Sequence, residues 1–134
     1  MKTAIAILFF AGVASAHAAT PAELLAGYRA EAARQTAGFQ ASAQRGAEFY
    51  TRRFGVSDKL ASCATCHTDQ PTQAGRHVVT DKAIRPLAPA ANAERFSDQA
   101  KVEKWFKRNC TEVVGRECSA AEKADFIAFV TGGR

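Results

Sequence analysis

Five consecutive residues, Cys63-Ala64-Thr65-Cys66-His67, hold the strongest chemistry in the chain. On one helical turn, two thiols at this spacing face the same way and can form thioether bonds to the two vinyl-derived positions on one edge of a porphyrin. The adjacent histidine then rises beneath the iron as its proximal nitrogen ligand. Two alternatives use the same cysteine spacing, a redox-active pair and a zinc site. Zinc requires a further ligand and better spacing of the second pair, Cys110 and Cys118. A thioredoxin-like pair requires a strand and helix context that the sequence does not offer. The pattern therefore predicts one haem c, attached covalently through Cys63 and Cys66 and ligated by His67.

The ligand on the other face of the iron is harder to read. Lys2, the apolar run beginning Ile5-Ala6-Ile7-Leu8-Phe9-Phe10, and the small-residue pattern Ala16-His17-Ala18 form a secretory leader. Cleavage is expected after Ala18, or after Ala16, which predicts a signal peptide over residues 1–18 and a single monohaem cytochrome c domain over 19–134. The apolar run is short for a bilayer and ends in a cleavage pattern, so no membrane anchor is expected. A bacterial periplasm, where haem attachment and a disulfide can both be completed, is the expected location. Processing removes Met1, the one methionine, and His17. The second axial position is then left to His77, a lysine, Asn109, water or an open site.

The formal charge of +5 becomes +4 without Lys2, and roughly +2 with two ionised propionates. There is no long Lys/Arg block and no nucleic-acid fold signature, which argues against nucleic-acid binding.

The elements that must position these residues are helical. Thr20 as a cap and Pro21 at the first position predict a helix to about Gln35. A second helix is expected from about Ala41 to Phe54, with Phe49, Tyr50 and Phe54 on one face. Thr68 to about Asn92 reads as loop, interrupted by Pro71, Gly75, Pro86 and Pro89. In it Ile84, Leu87 and Val78 are candidate apolar contacts to haem. Arg76, Lys82 and Arg85 are candidate propionate partners or ordinary solvated charges.

A third helix begins near Ser97 or Asp98 and carries Val102, Trp105, Phe106 and Asn109 on one face. Trp105 and Phe106 are candidate haem contacts. Asn109 reads equally as the end of that face or as a C-terminal cap. Cys110 and Cys118 are expected to be bridged, pinning the helix that carries Asn109. Ser119 with Glu122 fits a capping box opening a last helix, Ala120 to Val130, which should pack on the helix of Phe49 and Tyr50.

Taken together, these features resemble the sphaeroides haem protein family, a group of class I-like c-type cytochromes related to the cytochrome c'' group. The likeness is carried by the haem motif, by Ile84-Arg85-Pro86-Leu87-Ala88-Pro89 and by Arg95-Phe96-Ser97-Asp98. It continues through Val102-Glu103-Lys104-Trp105, Arg108-Asn109-Cys110, Gly115-Arg116-Glu117-Cys118 and Glu122-Lys123-Ala124-Asp125. The resemblance implies an all-α, small class I-like cytochrome c fold with an extra N-terminal helix. It implies His67 as proximal and Asn109 as distal ligand of the oxidised iron, with a Cys110–Cys118 disulfide. It further implies that reduction releases Asn109 and opens the iron to O2, NO or CO. The related group has histidine where this chain has Asn109.

Two functions follow from this reading. One is a simple electron-transfer cytochrome without a gas-ligand role. The other is an electron-fed haem that binds a diatomic gas, supplied by a redox partner such as a multihaem or membrane cytochrome. No dedicated acid–base pair stands near the motif, so no catalytic residue is assigned. Weak haem-based oxidase, peroxidase or nitric-oxide chemistry stays open as an activity. Lys101, Lys104, Lys107 and Arg108, interrupted by Glu103 and Glu112, form a face suited either to an acidic partner or to solvent.

Overall fold

The computed structural model describes residues 18–132, and the leader expected over residues 1–18 lies outside that range except for Ala18. Helix α1 spans Pro21–Gln35, α2 Ala43–Thr51, α3 Cys63–His67, α4 Gln99–Val114 and α5 Ala120–Thr131. A two-residue hairpin, β1 (Gly75–Arg76) and β2 (Ala83–Ile84), interrupts the segment expected to be loop. It pairs Gly75 with Ile84 and Arg76 with Ala83 in antiparallel register. The architecture is the all-α one expected, with α1 as the additional N-terminal helix. No helix among the described residues is long and apolar enough to cross a membrane.

Helix starts follow local chemistry. Thr20 and Glu23 close a capping box at α1, and Pro21 supplies a first position that needs no amide donor. Asp98 caps α4 by accepting from the Lys101 amide (3.0 Å). Ser119 and Glu122 form the expected box at α5. Helix α2 is shorter than its apolar pattern suggests. It starts after the Ser42 cap and ends at Thr51, so Arg52, Arg53 and Phe54 lie beyond it.

Helix α5 is the centre of the packing, lying against both α1 and α2. Tyr50 on α2 meets Phe126 and Phe129 at ring separations of 6.1 and 5.3 Å, as the sequence pattern anticipates. Gly46 makes the α2–α5 approach possible. A Cβ there would collide with the Asp125 carbonyl oxygen and lie 2.8 Å from the Phe129 Cβ. Gly46→Ala should therefore destabilise by roughly 1–3 kcal/mol through overpacking, outweighing alanine's better helix propensity. A denaturant midpoint equal to wild type would refute the tight crossing.

The Glu122 carboxylate accepts from Arg116 (2.6 and 2.8 Å) and from the Ser119 amide (2.8 Å). The Arg116 bonds are the main reason its pKa lies below the usual 4.5, since burial works in the opposite direction. With the folded pKa below the unfolded one, this stabilisation is present above pH 4.5 and is lost as pH falls through the folded value. Glu122→Gln should flatten the loss of stability on acidification below about pH 4.5, measured by denaturation at a series of pH values.

Candidate functional site

Helix α3 is a single turn, and its start is fixed by Ser62. The buried Ser62 donates its amide to Thr65 Oγ1 (3.2 Å), and the two hydroxyls lie 3.0 Å apart. Cys63 and Cys66 then fall on one side of the turn, with His67 at its end. Cys63 and Ala64 pack against the apolar cluster formed by Leu24, Tyr50, Leu87, Phe96, Val102 and Phe126.

Burial pushes the Cys63 thiol up to about 11. It is therefore a neutral thiol at ordinary pH, unlike the acidic cysteine of a disulfide exchanger. His67 is pushed down to about 4, chiefly by burial and secondarily by the charges of Arg95 and His77. A neutral imidazole with a free lone pair is the form that ligates a metal.

The backbone after His67 is held from two directions. Thr68 takes φ 63°, and its carbonyl accepts the Tyr50 hydroxyl (2.6 Å). On the other side the hairpin lies directly on α3. A Cβ at Gly75 would clash with the Cys66 carbonyl oxygen and lie 2.9 Å from the His67 Cα. Ile84, opposite Gly75, is half-buried, and Leu87 is buried. Val78, a candidate haem contact, instead sits exposed at the hairpin tip (46%).

Among the expected site residues on α4, Phe106 points inward. Its ring meets Tyr28 edge-on (5.8 Å) and Phe126 (5.4 Å). Phe106 also packs against the smaller cluster of Phe49, Cys110 and Cys118, so it joins the site to the disulfide region. Trp105 is 42% exposed and stacks on the Arg108 guanidinium (5.7 Å). Asn109 is half-buried, one turn after Trp105, and is not a helix cap. Helix α4 continues to Val114 and is capped by Gly115 at φ 80°. Among the described residues, the Asn109 amide makes no hydrogen bond.

Cys110 and Cys118 are paired, with Cα atoms 5.7 Å apart, and cannot complete a zinc site with Cys63 and Cys66. His77 lies in the turn of the hairpin that covers α3. Its Nδ1 accepts from the Val79 and Thr80 amides (3.3 Å each), and its charge acts on His67. Its Nδ1 is thereby committed to the hairpin turn.

Arg76 and Arg85 are both exposed and already ion-paired, to Asp81 (3.2 Å) and Glu94 (2.6 Å). Sequence reasoning missed Gly75, Tyr50 and Arg95 as site residues. For Gly75, read in the sequence only as an interruption of the loop, the signal available was a glycine shortly after the motif, between Ala74 and Arg76. Tyr50 was legible only as core, and Arg95 entered the sequence reading only as part of the Arg95-Phe96-Ser97-Asp98 likeness, with no role of its own.

The donor set fits haem c. Two thiols and a neutral imidazole occur on one turn beside an apolar cluster rich in aromatic rings. This fold and site define a small helical c-type cytochrome.

Comparison with known proteins narrows the class. Residues 36–130 match the family described as "Domain of unknown function (DUF1924)". The cytochrome c-type protein SHP of Cereibacter sphaeroides is 46% identical over 121 residues, covering 90% of this chain and 89% of its own. Cytochrome c'' of Methylophilus methylotrophus is 47% identical over 83 residues, 61% of this chain and 58% of its own. Oxidised SHP, described as an oxygen-binding cytochrome c, superposes with a TM-score of 0.78 at 43% identity, covering 86% of this chain and 98% of the other. Oxidised cytochrome c'' also gives 0.78, at 37% identity, covering 85% and 94%. The chain belongs to the sphaeroides haem protein family of c-type cytochromes.

The Cys110–Cys118 bridge closes a short loop between α4 and α5, with a sequence separation of 8. Replacing both cysteines with alanine should lower stability by about 2–3 kcal/mol on chain-entropy grounds. Urea denaturation of the variant tests this, and an unchanged midpoint would show that the bridge adds no constraint.

Proposed function

We propose that this chain is a periplasmic monohaem c-type cytochrome that exchanges one electron with a redox protein and, when reduced, opens its distal site to O2, NO or CO by releasing Asn109. In this reading Cys63 and Cys66 hold the haem, His67 is the proximal ligand and Asn109 the distal one. The haem supplies a one-electron iron couple and, when ferrous, an axial position for a small diatomic molecule. The observation that carries the proposal is the setting of Asn109. Its amide is half-buried and uncommitted among the described residues, between an inward-packed Phe106 and a bridged Cys110.

A neutral amide oxygen is a hard, weak-field donor. It favours the higher-charged iron and lets go more readily than imidazole or thioether when charge falls. Phe106 then limits water on the inner side, Trp105 can cover the outer side, and the freed amide can donate a hydrogen bond to an incoming ligand. The oxygen binding stated for SHP supports the gas-ligand part of this reading. A multihaem or membrane cytochrome is the class of partner that would deliver the electron. The basic face of α4 contributes little steering, because Lys107 and Arg108 lie beside Glu117 (3.7 Å) and Glu112 (3.0 Å).

Optical spectra of the oxidised and anaerobically reduced holoprotein, with and without carbon monoxide, test the proposal. Wild type should be high-spin when reduced and change promptly on adding the gas. Asn109→Leu, which offers no donor atom, should be high-spin in the oxidised protein as well, a state that wild type should reach only on reduction. A wild-type reduced spectrum that is low-spin and inert to the gas would leave simple electron transfer as the function.

A further inference from the structure

A cation with no role in the sequence reading borders the haem motif, because its neighbour Phe96 and the Leu87 that follows its partner Pro86 both lie in the cluster on which Cys63 packs. Arg95 is half-buried in the turn before α4. Its Nε donates to the Pro86 carbonyl (2.9 Å) and its Nη2 to the Arg85 carbonyl (2.7 Å). The backbone around it is fixed as well. The Arg95 amide donates to the Asn92 carbonyl (3.0 Å), and the next residue, Phe96, holds φ 59° while its buried ring packs on Phe126 (6.5 Å). Arg95 is therefore oriented and not free to sweep through solvent.

Its charge has no opposite. Both side-chain partners are neutral carbonyls, and among the described residues no carboxylate pairs with it. The ionised group that acts on it is another cation, Arg85, whose own guanidinium is engaged by Glu94 (2.6 Å) and Asn92 (2.8 Å). Burial and Arg85 together lower the Arg95 pKa. A half-buried guanidinium with an uncommitted Nη1 edge, bordering the cluster on which Cys63 packs, is a built receptor for a carboxylate, which would offset its desolvation through charge-assisted, fork-shaped bonding.

We propose that Arg95 is the residue that anchors a haem propionate, in place of Arg76 and Arg85, whose charges are already answered by Asp81 and Glu94. The inference rests on haem attachment at Cys63 and Cys66 and deepens that reading by assigning the polar edge of the same site. A guanidinium held there also favours the reduced state, because reduction adds negative charge within its field.

The test uses the covalently loaded holoprotein, with haem content measured first. Reduction potential and the resonance Raman propionate-bending band are compared for wild type, Arg95→Gln and Arg95→Lys. Arg95→Gln keeps donors for the two carbonyls but loses the charge. It should lower the reduction equilibrium constant about tenfold, about 59 mV for a one-electron couple, and shift the band. Arg95→Lys should keep the wild-type potential and shift only the band.

Wild-type potential and band in Arg95→Gln would overturn the anchor while leaving haem attachment intact. Wild-type protein without covalent haem would overturn both. Should Arg95→Gln fail to mature, a crystal structure of the wild-type holoprotein decides the matter. A propionate oxygen within about 4 Å of the guanidinium upholds the assignment, and a greater separation overturns it.

Discussion

The backbone of α5 lies against α2 at Gly46, and the rest of the molecule is arranged around that approach. Without a side chain at Gly46 the two helices come close enough for Asp125, 6% exposed, to reach back to the start of α2. Its carboxylate accepts from the Ser42 amide (2.7 Å) and from two Arg45 nitrogens (2.8 and 2.9 Å). A buried carboxylate is costly unless its oxygens are fully bonded and its charge is answered, and here both conditions are met by the helix it packs on. The contact thus fixes the register of α2 against α5 as well as their separation.

From that frame aromatic rings carry the geometry to the site. Phe126 on α5 touches Tyr50 from α2, Phe96 from the turn before α4, and Phe106 from α4 itself. Tyr50, fully buried, extends the chain of contacts to the Thr68 carbonyl directly after His67. Thr68 and Phe96 both hold positive φ, a conformation costing of order 1–3 kcal/mol for residues with a side chain. Each is adjacent to a residue of the candidate site, His67 and Arg95 respectively. The core over-determines these two positions, which is how a small helical domain can keep strained backbone in place.

Much of this was legible in the sequence because it is local. The capping boxes at Thr20 and Ser119, the haem motif and the helical face of α4 all depend on residues within a turn or two of one another. The short hairpin was not legible, because its two-residue strands are too brief for a period and exist by lying on α3 through Gly75. The inward and outward parts of the α4 face were not separable either. Trp105 and Phe106 are adjacent aromatics, and only the positions of Tyr28 and Phe126 decide that Phe106 is the one in the core. Arg76 and Arg85 looked like anion binders because a sequence shows cations without their partners. Asp81 and Glu94 supply those partners, and Arg95 keeps an unanswered charge because its partners are carbonyls of the Arg85-Pro86 segment.

In the proposed function, the mounting of Asn109 is what would make a weak ligand a specific one. Phe106, one turn earlier, is locked between Tyr28 and Phe126, and Tyr28 is tied to the same helix by its hydroxyl bond to Glu103. Lys123 on α5 also binds Glu103 (2.8 Å) and lies over the Tyr28 and Phe106 rings, so α1, α4 and α5 meet at one polar and aromatic junction. Immediately after Asn109, Cys110 is bridged to the start of α5. With both flanks held, release of Asn109 in the proposed cycle requires rotation about its two side-chain torsions and no shift of α4. Such a motion would reorganise little of the packed core, and the amide would remain beside the site it had left.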